Sequence, residues 1–145
     1  MIRRLLDYPP VWLLIFAALA FLAGRVLPVP VAPAAGWGLV ALGLVLMIAA
    51  ALTMIRAGAT VDPTRPPTAL VTHGVFRLSR NPIYLGDALI LAGLSLIWHP
   101  MAGLALVPGF MLVIQRRFIR REEAWLRARD AMAFARWAAR TRRWI

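Results

Sequence analysis

The chain of 145 residues has no cysteine. That excludes disulfides, thiolate metal sites, cysteine nucleophiles and lipid anchors attached through sulfur. Lysine is absent too: all 17 basic side chains are arginine, against six Asp and Glu, for a net charge of +11. An all-arginine chain rich in Ala and Pro is what a GC-rich coding bias produces, so no function is read from the choice of arginine over lysine. The two histidines, His73 and His99, stand apart and alone, and no metal site is expected. No Gly-x-Gly-x-x-Gly follows a strand pattern, no Walker motif occurs and no Ser/His/Asp set can be assembled, which argues against soluble-type nucleotide folds and triad hydrolases. Charge is also missing from whole stretches: residues 8–24, 26–55 and 88–115 carry none. Each approaches or exceeds the ~20 residues that cross a bilayer core as a helix. With 61% hydrophobic residues, the chain is not a soluble domain. Its length allows one domain.

What is present reads as an all-α integral membrane protein of about four transmembrane helices with a cytoplasmic, amphipathic C-terminal helix. The expected spans are residues 11–27, 36–55, 83–98 and 101–114, with a polar loop at 56–82 and a helical tail at 116–145. Pro28, Pro30 and Pro33 interrupt the helix between the first two spans, and His99-Pro100 makes a tight turn between the last two. The last two spans are short, about 24 and about 21 Å at ~1.5 Å per residue, so either the bilayer thins or the helices run further. Arginines test the topology. Arg3 and Arg4 precede the first span, four lie in the loop, and ten follow the fourth span, leaving Arg25 alone on the other side. Such asymmetry is the positive-inside pattern and puts both termini in the cytoplasm, in a multi-pass membrane protein with membrane lipids, not nucleic acid, as its surroundings. Residues 1–7 do not read as a cleaved signal, because no small-residue cleavage site follows the apolar run. In the tail, Phe118, Trp125 and Met132 recur every seven residues, while Phe134 falls on the opposite side, so the helix is expected to bend or restart near Asp130.

Chemistry-bearing residues gather in two blocks. In the first, residues 70–86, Gly74 permits a turn, Pro82 suits the first position of a helix and Asn81 is placed to cap it. A helix start offers backbone N–H groups and partial positive charge to an anionic group. Arginines at headgroup level around a capped membrane helix would equally explain the block. In the second block, residues 116–126, Glu122 and Glu123 sit among four arginines; surface ion pairing is the plain alternative to a site. On a continuous helix Glu122 lies at i+4 from Phe118 and i−3 from Trp125, on the buried stripe, and Glu123 toward its edge. Glu122 is therefore expected to be the more important of the two. Asp87 is a carboxylate one turn inside the third span, at i+3 from Tyr84, where an ionisable group usually faces a cavity or a partner. Pairing with Arg80 is one such use; an acceptor-side role is another.

The first block, Leu70-Val71-Thr-x-Gly74-Val-Phe76-Arg77-x-Ser79-Arg80-Asn81-Pro82-x-Tyr84-Leu85-Gly86, resembles the isoprenylcysteine carboxyl methyltransferase and phospholipid methyltransferase superfamily in its small bacterial form. The resemblance continues in Arg117-Phe118-Ile119-x-x-Glu122-Glu123-x-x-Leu126 and ends in Arg140-Thr-Arg-Arg-Trp-Ile145. It covers roughly half the chain, in order and spacing. It implies an integral membrane methyltransferase that uses S-adenosylmethionine without a Rossmann domain and methylates a lipophilic or membrane-embedded acceptor; the small bacterial form would make that membrane the inner one. It also implies a cofactor site at Leu70, Val71, Phe76, Asn81, Pro82, Tyr84, Glu122 and Glu123. Arg117 or Arg121 would contact substrate, and Asp87 or Tyr84 would be the only nearby groups able to take a proton from a neutral acceptor. Where the family's tail reads Phe-Gly-x-x-Tyr-x-x-Tyr, this chain has Asp130-Ala131, then Phe134 and Trp137, keeping the aromatic positions but losing the glycine and both hydroxyls. Two other readings use the same scaffold: a non-catalytic membrane binding or structural protein, and a reductase-like relative.

Overall fold

The computed structural model describes residues 5–145; Arg3 and Arg4, counted above, lie outside them. The described residues are helical, with no strand among them. In order they form α1 (Pro9–Val26), α2 (Pro33–Arg56), a short 3-10 turn (Gly74–Arg77), α3 (Pro82–Trp98), α4 (Pro100–Ile114), a π-helical turn (Gln115–Ile119), α5 (Arg120–Arg129) and α6 (Ala131–Ala138). Each of α1 to α4 begins on a proline. At that position the ring's fixed φ is already helical and its missing N–H has no intrahelical partner to lose.

Helices α1 and α2, and the continuous run Pro100–Arg129, are long and apolar enough to cross a membrane; α3, at 17 residues, is apolar but shorter. The helix expected to stop at residue 114 instead runs 30 residues through the π turn into α5. The tail then breaks where the sequence indicates: Asp130 ends α5 and caps α6, its carboxylate accepting from Ala133 N at 2.8 Å. At the opposite end, His99 Nδ1 accepts from Ala102 N at 3.0 Å and so caps α4.

α3 is the central helix, packed against α2, α1 and α4. Its contact with α2 is backbone on backbone. A Cβ added to Gly43 would lie 2.6 Å from the Gly86 carbonyl oxygen, and one on Gly36 2.6 Å from that of Gly93. The two glycine pairs have the same seven-residue spacing and meet in antiparallel register, so the helices close to a distance no side chain permits. One apolar cluster joins α1, α3, α4 and the π turn around Leu91, Phe110, Ile114 and Phe118. A second joins α2, the loop and α6 around Ala50, Val71, Phe76, Phe134 and Trp137.

The buried side of the tail differs from the expected stripe. Phe118 is buried, but Met132 is 69% exposed, while Phe134 and Trp137 pack inward. The break at Asp130 resets the helical phase, and the loss of the family's tyrosines does not prevent α6 from docking: Trp137 Nε1 donates to the Phe76 carbonyl at 3.1 Å.

Candidate functional site

The loop 57–81, the first turns of α3, and α5 and α6 enclose a cavity of about 270 Å³, which reaches between α1 and α2 to Tyr8, Met47 and Met54. Eight of the sequence-predicted residues line it as a set: Leu70, Val71, Phe76, Asn81, Pro82, Tyr84, Glu122 and Glu123; Asp87 lines it too.

The π turn decides which side chains face inward. Phe110 and Ile114 are fully buried on α4. An unbroken α-helix would continue that face through residues 117, 118 and 121, so that two arginines would share it with Phe118. A π turn inserts one extra residue and rotates everything after it back by about 100°. Phe118, Ile119 and the two glutamates then follow Ile114, and Arg117 and Arg121 are turned aside. Arg117 lies 3.8 Å from Asp7 and stacks on Trp12, while Arg121 donates to the Pro63 carbonyl at 3.1 Å and stacks on Trp125. Neither arginine is in the cavity wall.

Glu123 is the more buried carboxylate, at 4% exposure, contrary to the order expected from a straight helix. Its oxygens accept from Arg143 Nε at 3.0 Å and Nη2 at 2.7 Å, and lie 3.5 Å from Arg80 and 3.4 Å from Arg127. The partners come from three parts of the chain, so this is not pairing along one exposed helix. Burial alone would push the Glu123 carboxyl up; hydrogen bonds from Arg143 and the charges of Arg80, Arg143 and Arg127 outweigh it and hold the carboxyl below its ordinary range. The same hydrogen bonds raise the Arg143 pKa, whereas burial lowers that of Arg80.

Glu122 points the other way along the cavity. Its Oε1 accepts a hydrogen bond from the Tyr84 hydroxyl. Beyond the apolar span, in α5, its carboxyl is pushed up by burial, with the Tyr84 hydrogen bond and the Arg121 charge acting against that shift.

Asn81 precedes α3 without capping it. Its Nδ2 donates instead to the Arg143 carbonyl at 2.9 Å, and Arg80 N donates to the Arg142 carbonyl at 3.0 Å. The C-terminal segment is thereby strapped across the start of α3, with Trp144 Nε1 donating to Gln115 Oε1 at 3.1 Å. Asp87 is 2% exposed and makes no ion pair among the described residues; Arg80 turns to Glu123, so the Asp87–Arg80 pairing weighed above does not form. Arg80 Nε is buried and has no hydrogen-bond partner among the described residues.

Sequence reasoning did not place Met47, Met54 or Arg143 at this site, and it noted Trp137 only as an aromatic position kept from the resembled family's tail. The methionines lie in an apolar span where nothing distinguishes them from core. Arg143 is twenty residues from Glu123, and no helical spacing connects the two.

The family model described as phospholipid methyltransferase matches residues 31–129, about two-thirds of the chain, from the start of α2 to the end of α5. It agrees with the resemblance carried by the two sequence blocks. No curated protein and no solved structure matches the chain significantly.

Proposed function

The chain belongs to the phospholipid methyltransferase family, and from that premise we propose that it is a membrane methyltransferase that uses S-adenosylmethionine to methylate a lipophilic acceptor. The observation that carries this reading is a pair of adjacent carboxylates, one buried among arginines and one bonded to Tyr84, facing a cavity whose apolar wall includes Leu70, Val71, Phe76, Leu126 and Trp137.

The donor set suits that cofactor. Apolar and aromatic walls suit a purine, carboxylates suit an ammonium group and ribose hydroxyls, and the orphaned Arg80 Nε–H suits a carboxylate. Bound there, S-adenosylmethionine supplies an electrophilic methyl group on a sulfonium sulfur. The protein's share is positioning and the exclusion of water. Glu123, fixed by Arg143, Arg80 and Arg127, is a rigid anchor, and Glu122 is the carboxylate free to meet a cationic or hydroxyl group. Asn81 and Pro82 set the start of α3, and with it the orientation of Tyr84. Asp87, deeper in the cavity beside Met47, faces the side from which a membrane-borne acceptor would arrive; there it holds a cationic acceptor or takes its proton. An acceptor that is already anionic needs no base. Arg117 and Arg121 belong to the rim, where Arg121 acts on Glu122 through its charge.

In this reading α3 crosses the bilayer with α1, α2 and α4, making four spans, both termini on the cytoplasmic side of an inner membrane, the cofactor entering from the cytoplasm and the acceptor from the lipid. Calorimetry with S-adenosylhomocysteine on the purified, detergent-solubilised chain tests it. Saturable binding is expected; no binding at millimolar ligand overturns the reading.

A further inference from the structure

Behind the cavity is a second opening that the methyltransferase reading does not use. A cleft of about 880 Å³ is bounded by Thr72, Arg77, Arg129, Arg136, Arg140 and Thr141. Leu70, Leu126 and Trp137 line both openings and form the wall between them.

Four guanidinium groups converge on this concavity, and among the described residues none forms an ion pair. The one carboxylate in the lining, Asp130, already accepts from Ala133 N at the start of α6. Nothing in the fold requires the arrangement. Five arginines elsewhere, Arg65, Arg80, Arg117, Arg127 and Arg143, are paired with acids. Arg136, on α6, and Arg140, just past its end, are like charges lining one cleft without an acid between them. Concave, low-dielectric walls concentrate the field of like charges, so the cleft attracts anions more strongly than the same arginines on a convex surface. Two threonine hydroxyls add neutral donors.

We propose that this cleft is a binding site for a phosphate-bearing anion. Guanidinium groups match phosphate oxygens in bidentate geometry and are weakly hydrated for cations, which suits a phosphomonoester or phosphodiester better than a lone carboxylate. Arg77 lies five residues before Pro82, where α3 begins, so the site stands at the level at which anionic headgroups meet arginine-rich segments. The phosphate can therefore come from an anionic phospholipid or from a free phosphorylated solute. The proposal does not depend on the cofactor reading, since none of the four arginines lines the first cavity.

The test uses the full chain in detergent, titrated with phosphatidylglycerol, with phosphatidylcholine and, separately, with sodium phosphate. Binding is read by native mass spectrometry for the lipids and by thermal shift for phosphate. All four arginines are exposed, so Arg77→Gln/Arg129→Gln/Arg136→Gln/Arg140→Gln should fold. Arg116→Gln/Arg120→Gln removes exposed charge outside the cleft and serves as the control. The wild type and the control should hold phosphatidylglycerol roughly tenfold or more tightly than the fourfold variant, with weakening in salt. A phosphate response lost in the same variant identifies the phosphate group itself as what is read; a response to phosphatidylglycerol alone assigns the source to the lipid headgroup. Unchanged binding of both probes in the fourfold variant overturns the proposal. So does an equal loss in the control, which would show that net charge alone attracts the anion.

Discussion

Glu122 and Glu123 are neighbours in sequence with opposite surroundings, and two variants separate them. Glu122 meets Tyr84 and the cavity, and no arginine bonds to it directly. Glu122→Gln keeps an acceptor for the Tyr84 hydroxyl while removing the charge. It should weaken binding of S-adenosylhomocysteine by at least about tenfold, about 1.4 kcal/mol, and leave the melting temperature of the ligand-free protein nearly unchanged. Because burial raises the Glu122 carboxyl, wild-type affinity should fall as pH drops through that raised value, and Glu122→Gln should show a flat profile. Calorimetry across pH reads both. Glu123 behaves differently because its partners hold its folded pKa below the unfolded value. Its stabilisation is fully present above the unfolded carboxylate range and is lost as pH falls through the lowered folded value. Glu123→Gln should therefore lower stability at neutral pH by roughly 3 kcal/mol, the low end for a broken buried pair because Arg143 is 30% exposed. It should also remove part of the acid-induced loss seen in the wild type; melting curves against pH check this.

At the scale of elements, two devices position the site, and they were unequally legible in the sequence. The glycine spacing is visible as Gly36/Gly43 and Gly86/Gly93, yet its meaning depends on which helices pair, which no local pattern states. Gly43→Ala puts a methyl group against the Gly86 carbonyl and the Ile90 side chain, at 2.6 and 2.8 Å. Pushing α3 off α2 this way should cost about 1–3 kcal/mol, seen as a lower melting temperature, and should loosen the cavity that Tyr84 and Asp87 both line. The π turn was not legible at all. The heptad of Phe118, Trp125 and Met132 pointed to a straight helix, and one inserted residue shifts the buried face to Phe118, Ile119 and Glu123. That single shift explains why Arg117 and Arg121 stand outside the cavity wall, while the deeper burial of Glu123 comes from Arg143 and Arg80, which the fold lays over it. Prolines were better guides: each long helix starts on a proline within three residues of its expected position, although Pro33, expected to interrupt the link, opens α2, and Pro108 sits inside α4. The break at Asp130 was equally readable, because a short acidic side chain there can cap the next helix. Arg143 could not be found from spacing, since its link to Glu123 is made by the chain folding back over α3.

For the whole molecule, the arginines and the lack of cysteine make topology directly measurable. With no native thiol, single cysteines report without background. Pro30→Cys, in the link between α1 and α2, and Thr72→Cys, in the long loop before α3, should be labelled by a membrane-impermeant maleimide from opposite sides of the membrane, Thr72→Cys from the arginine-rich side. Labelling of both from one side would contradict the proposed topology. The same orientation puts the polar end of the cavity, with Arg80, Asn81 and Glu123, toward the cytoplasm and the Met47–Asp87 end toward lipid. The proposed function comes down to one step: a methyl group passes from a water-soluble donor at the glutamates to an acceptor drawn from the bilayer near Asp87. The most direct measurement is transfer of radiolabelled methyl from S-adenosylmethionine into the organic-extractable fraction of membranes containing the protein, alongside Asp87→Asn and Glu122→Gln. Label should enter the lipid fraction with the wild type, fall sharply with Glu122→Gln, and vanish with Asp87→Asn while that variant still binds S-adenosylhomocysteine. No label above background with a wild type that binds the cofactor would contradict methyl transfer to a lipid acceptor, and full transfer by Asp87→Asn would remove Asp87 from the acceptor side.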